Sequence, residues 1–180
     1  MRTFIAIDVP KDIEQHLVSL QQCLKDFGVM TFSRRFHITL KFLGEVSEKR
    51  IGQVRDAFGA LSFSQFMVKL SVVGAFPDLH KIRVVWVGAE PQQQFILLQQ
   101  QIDSAMLKLG FPIDERFHCH VTLARIKHLK DKQGLKAALE QLHLIPIEFR
   151  IDHVTLYKST LTKQGSIYEA LATVPARQQA

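Results

Sequence analysis

The chain has 180 residues, a length that suits one compact domain or two small lobes sharing a core. With 47% hydrophobic residues and a mean hydropathy of +0.04 it is globular rather than disordered. No apolar run approaches the ~18–20 residues of a membrane span. A formal net charge of +6 and a pI near 9.5 favour an anionic partner, nucleic acid above all, and there is no run of like charge to mark a disordered basic arm.

The predicted elements alternate between strands and helices. Residues 3–9 read as a strand ending at Pro10. A helix follows from Asp12 to Phe27, with Ile13, Leu17, Leu20 and Leu24 at helical spacing and Gly28 as its stop. Phe36–Leu43 reads as a strand closed by Gly44, and Ser47 as the N-cap of a helix carrying Ile51, Val54, Ala57 and Phe58. Strands over 66–76 and 82–89 form a hairpin around Pro77-Asp78. Pro91 begins a glutamine-rich helix with Phe95, Leu98, Ile102, Met106 and Leu109 on one stripe, stopped by Gly110. A strand over Phe117–Lys127, a short helix near 132–142 and strands near 147–158 and 167–174 complete the chain. The strands alternate too much in polarity for a doubly wound parallel sheet. The N-terminus is not a signal peptide, and Cys23 and Cys119 make no disulfide framework, so a reducing cytoplasm is the expected location.

One short pattern occurs twice. His37-Ile38-Thr39-Leu40 and His120-Val121-Thr122-Leu123 lie 83 residues apart. Side chains two positions apart share a face of a strand, so each copy presents histidine and threonine together and turns its aliphatic residues the other way. By this parity Ile38, Leu40 and Phe42 face a core, whereas Lys41 shares the face of His37 and Thr39. The offset extends further: Phe66–Leu70 falls on Phe149–His153, and Phe4–Ile7 precedes the first motif much as Val84–Val87 precedes the second. The chain reads as one domain over 1–180 made of two tandem halves, about 1–80 and 81–180. The expected fold is α+β: a bilobal, pseudo-twofold duplicated domain, two antiparallel β-sheets facing a central cleft, with helices on the outside.

Two histidines around one phosphate can divide the work of splitting a phosphodiester. Imidazole titrates near neutrality, so one ring can take a proton from the nucleophile while the other protonates the leaving oxygen. Each threonine hydroxyl can bond a non-bridging oxygen and stabilise the charge of the transition state. The residues 2–8, 36–44, 83–88, 117–125 and 156–159, with Phe36-His37-Ile38-Thr39-Leu40 and His120-Val121-Thr122-Leu123-Ala124-Arg125 at their centre, resemble the 2H phosphoesterase superfamily. Within it, they are most similar to the bacterial and archaeal 2′-5′ RNA ligase-like branch, the RNA 2′,3′-cyclic phosphodiesterases. The resemblance implies that His37 is the proton donor and His120 the acceptor, with Thr39 and Thr122 in the active site. Cys119 departs from it, since family members usually carry proline before the second motif.

The expected activity is hydrolysis of 2′,3′-cyclic phosphate ends of RNA, such as tRNA fragments, to 2′-phosphates, with ATP-independent 2′-5′ ligation as the reverse. Small cyclic nucleotides or an ADP-ribose cyclic phosphate are alternative substrates, and an RNA-end-binding module without turnover is the alternative class. No cofactor and no metal are expected, no membrane partner, and a monomer. Further substrate contacts are expected from Lys41 and Lys158 to phosphates and from Phe42 and Tyr157 to bases. Arg125 lies opposite His120 on a regular strand and reaches the phosphate only through a bulge. His118-x-His120 lacks a third metal ligand at supporting spacing. His16, His80, His128, His143 and His153 have no chemical neighbourhood and read as surface or structural, and strand parity turns Cys119 away from the site.

Overall fold

The computed structural model describes residues 1–142, 144–162 and 165–178; His143 lies outside them. Nine strands and four α-helices follow one another as β1 (Arg2–Asp8), α1 (Lys11–Gln22), β2 (Gly28–Phe32), β3 (His37–Glu45), α2 (Glu48–Gly59), β4 (Phe66–Phe76), β5 (Val84–Glu90), α3 (Gln92–Leu107), β6 (His120–Leu129), α4 (Lys132–Gln141), β7 (Ile147–Ile151), β8 (His153–Thr162) and β9 (Gly165–Pro175). No helix among the described residues is long and apolar enough to cross a membrane.

The strands run in the order β7-β4-β5-β6-β3-β1-β8-β9, with β2 on β6. The order is palindromic in role. Each arm begins with a His-x-Thr strand (β6 or β3), followed by β5 or β1, then β4 or β8, then β7 or β9. In place of two separate sheets there is one nine-stranded antiparallel sheet with two arms, and β3 meets β6 through the single pair Ile38–Val121. The arms are not the two halves of the sequence. β4, from the first half, lies in the β6 arm, while β8 and β9, from the second, lie in the β3 arm. Of the segments that share the 83-residue offset, Phe66–Leu70 lies on β4 and the start of Phe149–His153 on its neighbour β7, with Phe66 paired to Ile151 and Val68 to Phe149. The strand expected over 147–158 is broken at Asp152: β7 pairs with β4 and β8 with β1, so the chain crosses from one arm to the other at that residue.

The helices cover one side of the sheet. Ile13 and Leu17 of α1, Val54 and Phe58 of α2, Phe95, Ile102 and Met106 of α3 and Leu135 of α4 pack against Ile5, Ile7, Ile38, Leu40, Val87, Val121 and Leu123 in one buried core. The other side carries a second cluster, Phe4, Ala6 and Tyr157 with Tyr168 against it. The expected helix over 12–27 ends earlier, at Gln22, with a 3-10 turn at Lys25–Phe27. Gly28 opens β2 rather than closing the helix, because β2 crowds β6: a Cβ there would collide with the His128 carbonyl oxygen. β2 has no distinct period-two signal, and only pairing with β6 makes it a strand. Ser47 holds the N-cap position of α2 but makes no side-chain cap bond.

Candidate active site

Two matching β-bulges build the site. On β3, Thr39 pairs with Ala6 and Lys41 with Ile5, so Leu40 is an extra residue. On β6, Thr122 pairs with Trp86 and Ala124 with Val85, so Leu123 is extra. An extra residue reverses side-chain parity beyond it. Consequently Leu40 and Lys41 are both buried, as are Leu123 and Ala124, and the residue five after each histidine returns to the histidine's face. Those residues are Phe42 and Arg125. The Leu123 carbonyl at the second bulge accepts from the Ser33 N–H at 2.9 Å and from the Gln21 amide at 2.9 Å.

A cleft of about 1060 Å³ lies between the arms, lined by His37, Thr39 and Phe42 from one motif strand and His120, Thr122 and Arg125 from the other. The bulge thus brings Arg125 to the cleft, as the sequence required for it to matter. Phe42 comes to the cleft as well, contrary to its expected core-facing parity, and is 61% exposed there. Both are placed where they can meet substrate.

Lys41 goes the other way. It was expected beside His37 and Thr39, but the bulge turns it into the core, where it is 2% exposed. Its ammonium donates to the Asp103 carboxylate of α3 and to the Pro112 carbonyl. It has no surface left for RNA. Tyr157 was expected to stack on a base; it is instead buried, stacked on Phe4 at 5.3 Å, and its hydroxyl donates to Asp8. Lys158 does not line the cleft, and its ammonium lies 3.3 Å from Glu169.

Backbone groups two residues earlier act on both histidines. Nδ1 of His120 lies 2.7 Å from the His118 carbonyl, which fixes the Nδ1–H tautomer and leaves Nε2 as an acceptor. The Arg35 backbone, also two residues earlier, favours the charged form of the His37 ring. Around His37 stand Phe4 at 5.3 Å and Tyr168 at 5.5 Å; around His120 stand Phe76 at 4.9 Å and Trp86 at 6.2 Å. Burial disfavours the imidazolium in both rings. It lowers His37 to about 4 against the opposing pull of Asp8, and it also lowers His120. Burial thus favours the neutral form of both at pH 7. Burial pushes the Cys119 thiol up, which removes it as a nucleophile. Among the described residues no three metal-binding side chains converge.

A paired His/Thr apparatus, repeated on two bulged strands that share one cleft, matches a known family over residues 9–162. The chain belongs to the 2′-5′ RNA ligase superfamily. An RNA 2′,3′-cyclic phosphodiesterase of Methanocaldococcus jannaschii is 35% identical over 173 residues, 95% of this chain and 98% of that protein. Its counterpart in Thermotoga maritima is 32% identical over 176 residues, 95% and 93% of the two chains. Among solved structures, TT0787 of Thermus thermophilus superposes with a TM-score of 0.81 at 25% identity, covering 100% of both chains. E. coli LigT complexed with 3′-AMP does so with 0.76 at 25% identity, covering 98% of each.

Several residues that line the cleft were not legible in the motifs. Arg34, Arg35, Phe4 and Tyr168 line the cleft. The Arg35 guanidinium sits 5.4 Å and 5.7 Å from the Tyr157 and Tyr168 ring centres. Arg34 and Arg35 lie in the bend before β3, outside any strand, so the parity of the motif does not reach them. Tyr168 had no signal either; it arrives through the β8–β9 pairing.

Proposed function

We propose that this protein hydrolyses the 2′,3′-cyclic phosphate at RNA ends to a 2′-phosphate, using His37 and His120 as acid and base. The observation that carries the reading is the orientation of the two motifs: two histidines and two threonines, on strands joined at Ile38–Val121, all line one cleft. The names of the relatives in M. jannaschii and T. maritima agree with it.

In this reading the Nε2 lone pair of His120 takes a proton from water as the water oxygen attacks phosphorus. The bond from phosphorus to the ribose 3′ oxygen breaks, and His37 gives that oxygen its proton. Thr39 and Thr122 donate to the non-bridging oxygens, whose charge grows in the transition state. Afterwards His120 is charged and His37 neutral, and exchange with solvent resets the pair. Burial favours neutral His37, so the substrate's anionic phosphate supplies the compensating charge and binding takes up a proton. Arg34, Arg35 and Arg125 make the cleft attractive to the flanking phosphates of RNA, and Phe42, 61% exposed, offers a face to a base. The same site run backwards would join the cyclic end to a 5′-hydroxyl in a 2′-5′ bond.

The test is an assay of the purified protein on an oligonucleotide ending in a 2′,3′-cyclic phosphate, with the product phosphate located by NMR. A 2′-phosphate product is expected. A 3′-phosphate product, or no turnover on the oligonucleotide alongside turnover of a cyclic mononucleotide or ADP-ribose cyclic phosphate, would overturn the reading.

A further inference from the structure

The two arms can be compared position by position, because β3 corresponds to β6 and β1 to β5. Asp8 of β1 pairs with His37, and Gly88 of β5 pairs with His120. Directly paired residues on antiparallel strands present their side chains side by side, with Cβ atoms about 4.5–5.5 Å apart. His37 therefore has a carboxylate beside it where His120 has only backbone. The carboxylate is held in place: the Tyr157 hydroxyl donates to one oxygen, and the Arg35 guanidinium lies 3.5 Å from the other. Burial and Asp8 itself push the Tyr157 phenol up, so it remains a donor.

The other groups that face His37 are Arg35 from the preceding loop, His120 from β6, Tyr168 from β9 and Phe4 from β1. Only Asp8 among them is an anion. His120 faces His118, Arg125, Phe76 and Trp86, none of them an anion. Both rings pack against aromatic side chains; burial weighs more heavily on His37, and the Arg35 cation adds to it, so Asp8 is the group on that side that favours a proton. We propose that Asp8, anchored by Tyr157 and Arg35, is the positioning residue that makes His37 rather than His120 the proton donor. The proposal rests on the phosphodiesterase reading above. Burial weighs against charge in both rings, and Asp8 is the main influence opposing it at His37. Once an anion in the cleft offsets burial, the neighbouring carboxylate favours a proton on His37, and no carboxylate does so on His120.

The experiment is an NMR titration of ¹⁵N-histidine-labelled protein with sulfate in the cleft, an anion whose charge does not change over the range. Wild type, Asp8→Asn and Gly88→Asp are compared. Asp8→Asn keeps the shape and can still accept from Tyr157. The His37 midpoint is expected to fall by about one pH unit, the scale of one adjacent charge, while that of His120 stays in place. Gly88→Asp should raise the His120 midpoint; the nearest atom to the added Cβ is the edge of the Trp86 ring at 3.2 Å, which must give slightly. With a cyclic-ended oligonucleotide, Asp8→Asn should lower kcat about tenfold with KM little changed, one pH unit being a factor of ten in the charged fraction. An unmoved His37 midpoint in Asp8→Asn, or equal movement of both histidines, overturns the assignment while leaving the phosphodiesterase reading intact. An inactive wild type overturns that reading, and the donor assignment with it.

Discussion

Replacing Lys41 by methionine separates a buried structural lysine from an RNA contact. Methionine has nearly the same length but carries no charge. The Lys41 and Asp103 side chains are 2% and 6% exposed, so the pair is taken almost wholly out of water. Removing the ammonium leaves the Asp103 carboxylate with the Gln99 amide at 2.6 Å and the Asp114 N–H at 3.2 Å, two neutral donors in place of a cation. Breaking one side of such a pair costs about 3–5 kcal/mol. At about 2–4 °C per kcal/mol for a chain of this size, the melting temperature should fall by roughly 6–20 °C. The double variant Lys41→Met, Asp103→Leu removes the stranded charge and should recover most of the loss. Urea unfolding of the wild type, both single variants and the double variant measures this. The salt dependence of kcat/KM on an oligonucleotide should be the same in Lys41→Met as in wild type, because Lys41 reaches no phosphate. A stability loss below about 1 kcal/mol in Lys41→Met, or a shallower salt slope, would refute the reasoning.

Four further outcomes are expected. His37→Ala and His120→Ala should each lower kcat by at least ~10²-fold with smaller effects on KM, and turnover within threefold of wild type would remove that histidine from the mechanism. Because His37 is lowered from 6.5 to about 4 in the folded protein, the unfolded chain binds a proton between those values that the native state does not; stability should therefore fall as pH drops through this window, by up to about 3 kcal/mol, and sulfate should protect more strongly at its acidic end, as thermal melts with and without sulfate would reveal. Arg125→Met should flatten the salt dependence of kcat/KM on oligonucleotides, whereas Lys158→Met should not, and the opposite ranking would restore Lys158 to the substrate path. EDTA should leave turnover unchanged, and a loss reversed by a divalent ion would overturn the metal-free mechanism.

Much of this protein was legible in its sequence because it depends on local periodicity. The repeated His-x-Thr pattern put His37 with Thr39 and His120 with Thr122 on common strand faces, since alternation within a strand needs no knowledge of its neighbours. The helical stripes of α2 and α3 and the β4–β5 hairpin were equally local. What followed each motif was not. Whether Leu40 and Leu123 are extra residues depends on the hydrogen-bond register with β1 and β5, and one slip exchanges the faces of everything beyond it. That register sent Lys41 into the core to meet Asp103, 62 residues away, and turned Phe42 and Arg125 into the cleft. The exchange of strands at Asp152 was likewise hidden, because a strand-like pattern does not say which edge each part will join. The core-facing pattern was written in the sequence; which side chains complete the active site was decided by pairings between residues far apart in the chain, which only the folded sheet brings into register.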